Sequence, residues 1–487
     1  MKKLPKNSTE IIENIKQKTG NSSDIVIKTM AAFDTYVHII FCEPMCDRII
    51  INEFILEFLE NNKKDVKEKD LIKYIKSKLP AHKITKIDNY DDLYYNLLSG
   101  FTIILVDGIN ECLSVESRAK LNSGILPSQA EMVIKGPKDA FTEDYQTNLG
   151  LVMKRLKDYQ LRVKEHVLGR RSQTKVSVLY IDDIVDPILV QKVQDKISKI
   201  DIDAIVDSNY VAELITDNKK NVFSDYLSTE RPDVVTLHLL NGKIAIIVEN
   251  TQYAIVIPVL FIEFFHTSED YYHKVFNVNY TRIIRYIAFI ITLVVPSVYI
   301  AVTTHNHEAI PPKLLVSFSA QRAGVPFPTI VEALLMLITF EILKESDLRV
   351  PKSLGSALSI VGAIVLGQAA VEAGIVSQIM VIVIAITAIS GLIVSSTDLV
   401  YGIRWWRIIF LLATATLGLI GVFLANLLMI INLSSMKSFG IPYLAPFAPL
   451  ILENQNNGVF ITNKRKFKKR DVITAKRNQN RSAGIGQ

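Results

Sequence analysis

Four long apolar stretches dominate the second half of this chain. Each is long enough, or nearly so, for a helix that crosses a hydrocarbon core of roughly 30 Å. They cover Ile283–Val302, Leu354–Ile375, Ile379–Val394 and Ile408–Ile431. Between Pro351 and Asn432 the only charged residues are Lys352, Glu372, Asp398, Arg404 and Arg407. The pattern therefore predicts an integral membrane protein with an α-helical transmembrane bundle.

A further apolar segment, Val325–Glu345, leaves the number of crossings open. Pro326 and Pro328 interrupt its start. If this segment is re-entrant or interfacial, four spans bring both chain ends to one side. If it crosses, another crossing is needed, for example around Ile441–Leu452. Only a scheme in which Val325–Glu345 crosses places all the nearby cations inside, as the positive-inside rule favours; these are Arg349, Lys352, Arg404 and Arg407.

The first half has mixed charge and short apolar runs, which predict an α/β-containing soluble region of two modules. We divide the chain into a flexible segment 1–30, a module 31–168, a second module 169–275, a transmembrane domain 276–453 and a basic tail 454–487. No internal repeat is visible.

Strands are predicted at Phe101–Val106, Ser128–Gly136 and Lys175–Ile181, and helices at Thr142–His166, Pro187–Ile200 and Tyr210–Ile215. Three β-rich runs follow at Val234–Leu239, Lys243–Val248 and Tyr253–Pro258. Asn241-Gly242 between the first two is a hairpin signal.

Charge is distributed unevenly along the 487 residues. The formal net charge is +6, yet the tail Asn463–Arg481 alone carries nine Lys or Arg and one acid. The excess is therefore local, which argues against a nucleic-acid-binding surface and fits a tail near anionic membrane lipid on the cytoplasmic side. Met1–Met30 has no apolar core typical of a signal peptide, so the soluble half is expected to stay on the cytoplasmic side.

Candidate chemistry is sparse. Cys42, Cys46 and Cys112 have no second pair with metal-site spacing, and we expect buried thiols in a reducing compartment. His305 and His307 are better read as part of a solvated loop than as a metal site. The chain has no phosphate-binding loop, zinc-protease helix, nucleophile elbow or dinucleotide fingerprint. We therefore expect no enzyme activity, no cofactor and no metal.

The stretch Leu354–Ile375 has two different faces. Small residues recur every fourth position, a pattern that lets helices approach closely; they are Gly355, Ser359, Ala363 and Gly367. The neighbouring face carries Val361, Val365, Gln368 and Glu372. Two readings remain open: ordinary helix packing, or a pore helix with an apolar gate at the valines and a polar mouth at Gln368 and Glu372.

Two further acids lie in Val325–Glu345. A carboxylate at membrane depth is costly unless it faces protein or water. Glu332 lies nearer the centre of the segment, so we expect it to be buried or adjacent to a pore. Glu341 is equally compatible with the membrane interface.

Several short motifs, in this order, resemble the A subunits of GerA-type spore germinant receptors. They are Lys135-Gly136-Pro137, Phe141-Thr142-Glu143, Gly169-Arg170-Arg171-Ser172, Ser228-Thr229-Glu230-Arg231-Pro232-Asp233, Ser268-Glu269-Asp270-Tyr271-Tyr272, Gly324-Val325-Pro326-Phe327-Pro328, Gly367-Gln368-Ala369-Ala370-Val371-Glu372-Ala373-Gly374 and Phe439-Gly440-Ile441-Pro442-Tyr443.

The resemblance implies a subunit of the endospore inner membrane with its N-terminal domain and tail on the spore-core side. It implies partnership with a transporter-like B subunit and a lipoprotein C subunit. It also implies a homo-oligomer that forms a nutrient-gated ion channel. The alternative is a secondary transporter for a small solute, although such proteins often contain paired inverted repeats, and none is visible here.

Overall fold

The computed structural model describes residues 3–61, 68–81, 83–120, 128, 130–218, 221–349, 366–394, 396–451, 457–463 and 468–481. Two antiparallel five-stranded sheets come first, and a set of apolar helices follows. The soluble half is therefore α/β-containing, as predicted.

The first sheet belongs to module 1. Its elements are α1 Ser8–Thr19, β1 Ile25–Ala32, β2 Thr35–Cys42, a π-helical turn Ile50–Leu56 that continues into α2 Glu57–Asn61, α3 Glu68–Lys78, β3 Ile84–Ile87, α4 Tyr90–Leu97, β4 Phe101–Val106 and β5 Cys112–Glu116. The strand order is β1-β2-β4-β5-β3, with antiparallel neighbours throughout. β4 is buried along its whole length because helices cover both faces of the sheet, which explains its continuous apolar sequence.

The second sheet belongs to module 2. Its elements are α5 Tyr145–Met153, β6 Leu161–Leu168, β7 Thr174–Ile181, α6 Pro187–Ser198, α7 Ser208–Ile215, β8 Leu227–Thr229, α8 Pro232–Leu239, β9 Ile244–Val248 and β10 Ala254–Ile257. The strand order is β6-β7-β9-β10-β8, again antiparallel. α6 begins where the sequence predicts, because Asp186 caps it and Pro187 occupies its first turn.

The two modules share one topology. In each, a helix precedes a hairpin, two helices lead to an edge strand, and one helix leads to a second hairpin. Both sheets place their strands in the order first, second, fourth, fifth, third. The chain thus contains a structural repeat that the sequence did not reveal.

This repeat corrects the predicted module boundaries. Residues 1–30 were expected to be flexible, yet α1 buries Ile11 and Ile15 against module 1, and β1 starts at Ile25. The predicted boundary at residue 168 falls inside the β6–β7 hairpin. Packing of the buried face of α1 orders this segment, whose polar composition suggested a loose end.

Three local predictions were wrong. Ser128–Gly136 was read as a strand, but its described residues are irregular. Thr142–His166 was read as one helix, but α5 ends at Met153 and the strand β6 follows. Val234–Leu239 was read as a strand, but it belongs to α8, which Pro232 starts. Asn241-Gly242 therefore forms a turn from this helix to β9, not a hairpin.

The apolar second half forms helices of different lengths. They are α9 Val275–Thr304, α10 Pro312–Arg322, α11 Thr329–Arg349, a helical segment at 366–372, α12 Gln378–Ile393, α13 Thr397–Leu417 and α14 Leu419–Ser435. Among the described residues, α9 and α13 are long and apolar enough to cross a membrane, while α12 and α14 are apolar but shorter.

The predicted single span Ile408–Ile431 is in fact parts of two helices. α13 ends at Leu417, and α14 begins at Leu419. Gly418 between them has φ 60° and ψ −137°, a backbone conformation open essentially to glycine alone. The chain reverses here, so the continuous apolar run hides a turn.

The helix directions follow from contacts at their ends. α9 starts beside module 2 and ends where His305 contacts the carbonyl of Ala415 in α13, 2.9 Å away. α14 returns, since Asn432 near its end donates a hydrogen bond to Asn221 of module 2. α11 and α12 also run back toward module 2, where Lys344 and Val394 line one cavity with His238. The segment Val325–Glu345 thus runs the full length of the helical layer.

Candidate functional site at the apolar helices and their joint with module 2

A buried ion cluster fixes α9 to module 2. Arg282 Nε donates to Asp270 Oδ2 at 2.7 Å, and Arg285 Nη1 donates to Asp270 Oδ1 at 3.0 Å. The Asp270 and Arg282 side chains are fully buried. Arg282 also donates to the carbonyl of Gly458, which ties the C-terminal segment to the same point. Removing one partner from such a cluster leaves a buried charge unpaired, which costs about 3–5 kcal/mol.

A second buried cluster joins three of the short motifs. Arg231 Nη2 donates to Asp233 at 2.8 Å and to the carbonyl of Pro137 at 2.9 Å. Tyr272 donates to the same carboxylate at 2.6 Å. Gly136 has φ 132°, and a Cβ there would lie 2.7 Å from the Tyr272 ring. The motifs around residues 136, 231 and 272 therefore form one structural joint.

Glu131 lies at the edge of this joint. Burial, with a contribution from nearby Glu230, raises the pKa of Glu131 to about 7. Its carboxylate accepts a hydrogen bond from Thr229 at 2.6 Å. Burial also lowers the pKa of His238 to about 4, so this imidazole is neutral.

Arg170 and Arg171 do not take part in this joint. They lie in the β6–β7 turn, and their partners, Asp201 and Asp203, belong to the same module. All four side chains are exposed. Exposed pairs of this kind contribute little to stability.

Glu332 is fully buried among the apolar helices. Its Oε2 accepts hydrogen bonds from the backbone N–H and the hydroxyl of Ser377, each at 3.0 Å. Ser377 is the N-cap of α12, so the carboxylate lies where the helix dipole favours negative charge. Arg322 Nε is 3.8 Å from the other oxygen, Oε1. The acid thus connects α11 to the start of α12 at the end of the helices away from module 2.

Glu341 lies toward the opposite end of α11 and faces α13. Its two oxygens pair with Arg404 and Arg407, each at 3.2 Å. Arg407 is almost fully buried, while Arg404 and Glu341 are each about one-third exposed. The positive-inside rule applies to Arg404 and Arg407, and both arginines lie on the side of the helical layer nearest module 2.

The candidate pore helix is described only in part. Val361, Val365, Gly355, Ser359 and Ala363 lie outside the described residues. Gly367 has the Val381 side chain 3.7 Å from the position of a Cβ, which is ordinary packing distance. Gln368 donates to Glu372 at 2.9 Å, and both side chains are exposed. Among the described residues, no hydrogen bond links Glu372 to Glu332.

A cavity of about 670 Å³ lies between module 2 and the ends of α11, α12 and α13. Module 2 contributes Arg231, His238 and Tyr253 to its wall, and the helices contribute Lys344 and Arg404. This cavity was not predicted from the sequence. Arg404 and Arg407 within an apolar run were its available signal, but their partner Glu341 lies more than 60 residues earlier.

All three cysteines are buried and free. Burial raises the pKa of Cys46 to about 11 and that of Cys112 to about 12, so both thiols are protonated near neutral pH. Among the described residues, no group of three or more His, Cys, Asp or Glu side chains has the geometry to hold a metal ion.

Together these features define a class of protein: two tandem α/β modules attached by buried ion pairs to a layer of apolar helices. The chain belongs to the GerA family, because residues 13–473 match the family described as Bacillus/Clostridium GerA spore germination protein.

Curated relatives cover most of the chain. It is 36% identical over 452 residues to spore germination protein KA of Bacillus subtilis (strain 168), which covers 92% of this chain and 83% of that protein. It is 31% identical over 452 residues to spore germination protein GerLA of Bacillus cereus, covering 92% and 91% respectively. It is also 32% identical over 462 residues to a Bacillus subtilis (strain 168) protein named uncharacterized membrane protein YfkQ, covering 91% and 86%.

One similar solved structure is the crystal structure of the N-terminal domain of the A subunit of the Bacillus megaterium spore germinant receptor GerK3. The sequence identity is 34%, and the TM-score is 0.42. The match covers 54% of this chain and 98% of that one.

Proposed function

We propose that this protein is the A-type membrane subunit of a nutrient germinant receptor and that it oligomerises into a nutrient-gated ion channel that triggers endospore germination. Family membership over residues 13–473 is the observation that carries the role in germination. The proposed role is non-enzymatic.

The exposed pair Gln368 and Glu372 supports the oligomeric channel. These residues lie on the helical segment at 366–372. Gly374 follows just beyond it and lies close to the carbonyl of Gly324, so the segment ends at the side of the helices away from module 2. A carboxylate exposed to lipid at this depth is costly, whereas one facing a water-filled axis between subunits is not. We therefore assign Glu372 and Gln368 to the polar mouth of the pore, and Val361 and Val365 to its apolar constriction.

Helix directions support the proposed topology. α9 leaves module 2, and α14 returns to it, so an even number of crossings lies between them. This arrangement supports a topology in which the N-terminal modules and the basic tail lie together on the spore-core side of the inner membrane. The family resemblance supplies the proposed partners, a transporter-like B subunit and a lipoprotein C subunit.

Ion flux through reconstituted vesicles tests the channel. Val365→Ala should raise the resting K⁺ leak, because a smaller side chain widens and wets an apolar constriction. Glu372→Gln should lower the preference for K⁺ over Cl⁻ while leaving assembly intact. Glu308→Gln, which removes an exposed carboxylate in the loop after α9, is the matched control and should change neither property.

Two results would count against the proposal. If Val365→Ala protein, present at normal levels, leaves vesicles as tight as those without protein, this helix does not form a gate. If solute moves only at the slow rates of a carrier, the secondary transporter becomes the better reading.

A further inference from the structure

Three cations from two helices meet at the side of the helical layer nearest module 2. Lys344 lies on α11, and Arg404 and Arg407 lie on α13. We propose that these residues, here called the cationic seam, bind the phosphate group of an anionic phospholipid. The proposal rests on the membrane location included in the proposed function.

The seam has more positive than negative charge. Glu341 is the acid that pairs with it, through one N–H of Arg404 and one N–H of Arg407, both at 3.2 Å. Lys344 interacts electrostatically with the same three residues. Among the ion pairs of the described residues, three cations therefore face the carboxylate of Glu341, and an incoming phosphate would offset the remaining charge.

Three further acids lie near the seam. Asp398 lies at the start of α13, near the backbone of Ser228 in module 2. Glu345 follows Lys344 on α11 and also has an interaction of its own. Glu263, across the cavity, pairs with Lys243.

The arginines retain unused donors. A guanidinium has five N–H donors. The Nε atoms of Arg404 and Arg407 are buried and have no hydrogen-bond partner among the described residues. A phosphate has several strong acceptor oxygens, and it suits the fork of an arginine. The seam thus has both the charge and the donors for this group.

The apolar surface below the seam favours a lipid as the source of the phosphate. Ile408 and Leu412 continue the Arg404 face of α13, one and two turns further from module 2, and are 41% and 55% exposed. On α11, Ile338 and Ile342 are 57% and 63% exposed. Charge near module 2 with exposed apolar side chains beneath it matches a headgroup with its acyl chains.

Exposed aromatic residues lie beside Arg404 on α13, at the same level of the helical layer as the cationic seam. Tyr401 and Trp405 are 57% and 61% exposed, and tyrosine and tryptophan favour the membrane interface. The Arg404 guanidinium lies over the Tyr401 ring, 5.2 Å from its centroid. This contact holds the arginine at the depth of the lipid headgroups.

Native mass spectrometry of the full-length protein can measure lipid retention. The protein is released from nanodiscs of phosphatidylcholine, with or without phosphatidylglycerol. The wild type should retain phosphatidylglycerol in preference to phosphatidylcholine. Each Lys or Arg near an anionic surface is worth about fivefold in binding, so the Lys344→Gln/Arg404→Gln variant should lose roughly 25-fold.

Two further variants make the test specific. Lys437→Gln removes an exposed cation just beyond α14, on the same side, and should leave retention unchanged. Glu341→Gln removes the competing carboxylate and should retain phosphatidylglycerol at least as well as the wild type, so the proposal stays testable if the double variant does not fold.

Three outcomes would overturn the proposal. The first is equal retention of both lipids by the wild type, and the second is an equal loss in Lys437→Gln. The third is displacement of phosphatidylglycerol by inorganic phosphate at the same concentration, which would identify a free-phosphate site. Flotation with phosphatidylcholine vesicles separates the two proposals: a protein that does not float contradicts the membrane location itself, whereas one that floats without lipid preference contradicts only the seam.

Discussion

Asp270 and Glu332 are both fully buried carboxylates, but their surroundings differ. Asp270 accepts hydrogen bonds from two arginines, so its charge is required to balance theirs. Glu332 accepts two hydrogen bonds from Ser377 and faces one arginine at a longer distance. We infer that Asp270 holds the joint by charge, whereas Glu332 acts chiefly as a hydrogen-bond acceptor for the start of α12.

This difference predicts the effect of substitutions at Glu332. Glu332→Ala should destabilise the protein by about 1–3 kcal/mol, because it leaves the buried N–H of Ser377 without an acceptor. Glu332→Gln keeps a carbonyl oxygen at that point and should cost less. Thermal unfolding in detergent measures both, with Glu308→Ala as the exposed control. Equal losses for the Ala and Gln variants would show that the charge itself matters.

The raised pKa of Glu131 predicts that the stability of the folded protein depends on pH. Its pKa is about 7 in the folded protein and near 4.5 ordinarily, so between these values the folded state holds a proton that the unfolded chain has lost. The stability it contributes is therefore full below about pH 4.5 and is lost as the pH rises through about 7. His238 has the opposite effect, since its lowered pKa favours the folded state as the pH rises through about 4 to 6.5.

The difference between Glu131→Gln and the wild type isolates the first effect. The variant should gain stability relative to the wild type as the pH rises from about 5 to about 8. Melting temperatures of the full-length protein across this range provide the measurement. A difference that does not change with pH would contradict a raised pKa at Glu131.

Among the elements, the turn between α13 and α14 depends on one residue. A Cβ at Gly418 would lie 2.6 Å from Asn306 Oδ1 and 2.7 Å from His305 Cβ, and the backbone conformation already excludes other residues. Gly418→Ala should therefore cost on the order of 1–3 kcal/mol or prevent folding. Gly324→Ala is the control, because no atom lies within 4 Å of a Cβ there. Similar melting temperatures for the two variants would refute the requirement.

Local sequence predicted some elements well and others poorly, for physical reasons. α6 was predicted correctly because its capping residues are adjacent in sequence. α8 was mistaken for a strand because Val234 and Val235 favour strands, while the buried ion pair of Arg231 and Asp233 and packing on the sheet hold them in a helix. The turn at Gly418 was missed because no charged residue interrupts the run.

The candidate site was predictable only residue by residue. The depth of Glu332 in an apolar segment indicated burial, but Ser377 lies 45 residues further along and nothing local connects them. The charges at Arg404 and Arg407 suggested a side of the membrane, yet their pairing with Glu341 required the fold. Three-dimensional partners, rather than residue types, were the missing information.

At the scale of the whole molecule, the two repeated modules lie at one end of the layer of apolar helices. The modules meet where Ser22 and Ser23 donate to the carbonyl of Val163 in β6. Within the part of the chain that the structure describes, module 2 carries the joint at Asp270 and contributes to the wall of the cavity next to the helices. A movement of module 2 therefore reaches α9, α11 and α13 together, while module 1 acts on them through its contact with module 2.

The same arrangement predicts which parts of the protein face each side of the membrane. Single cysteines replace Gln17 in α1, Glu308 beyond the end of α9, and Lys476 in the tail, all exposed positions. The native thiols are buried, so they should give little background. A membrane-impermeant thiol reagent applied from outside should label position 308 and leave positions 17 and 476 unlabelled until the membrane is permeabilised. The reason is that α9 leads away from module 2, and α14 leads back to it.

Labelling of position 17 or 476 from outside would refute the shared location of the two ends. Failure to label position 308 without permeabilisation would show that α9 does not cross.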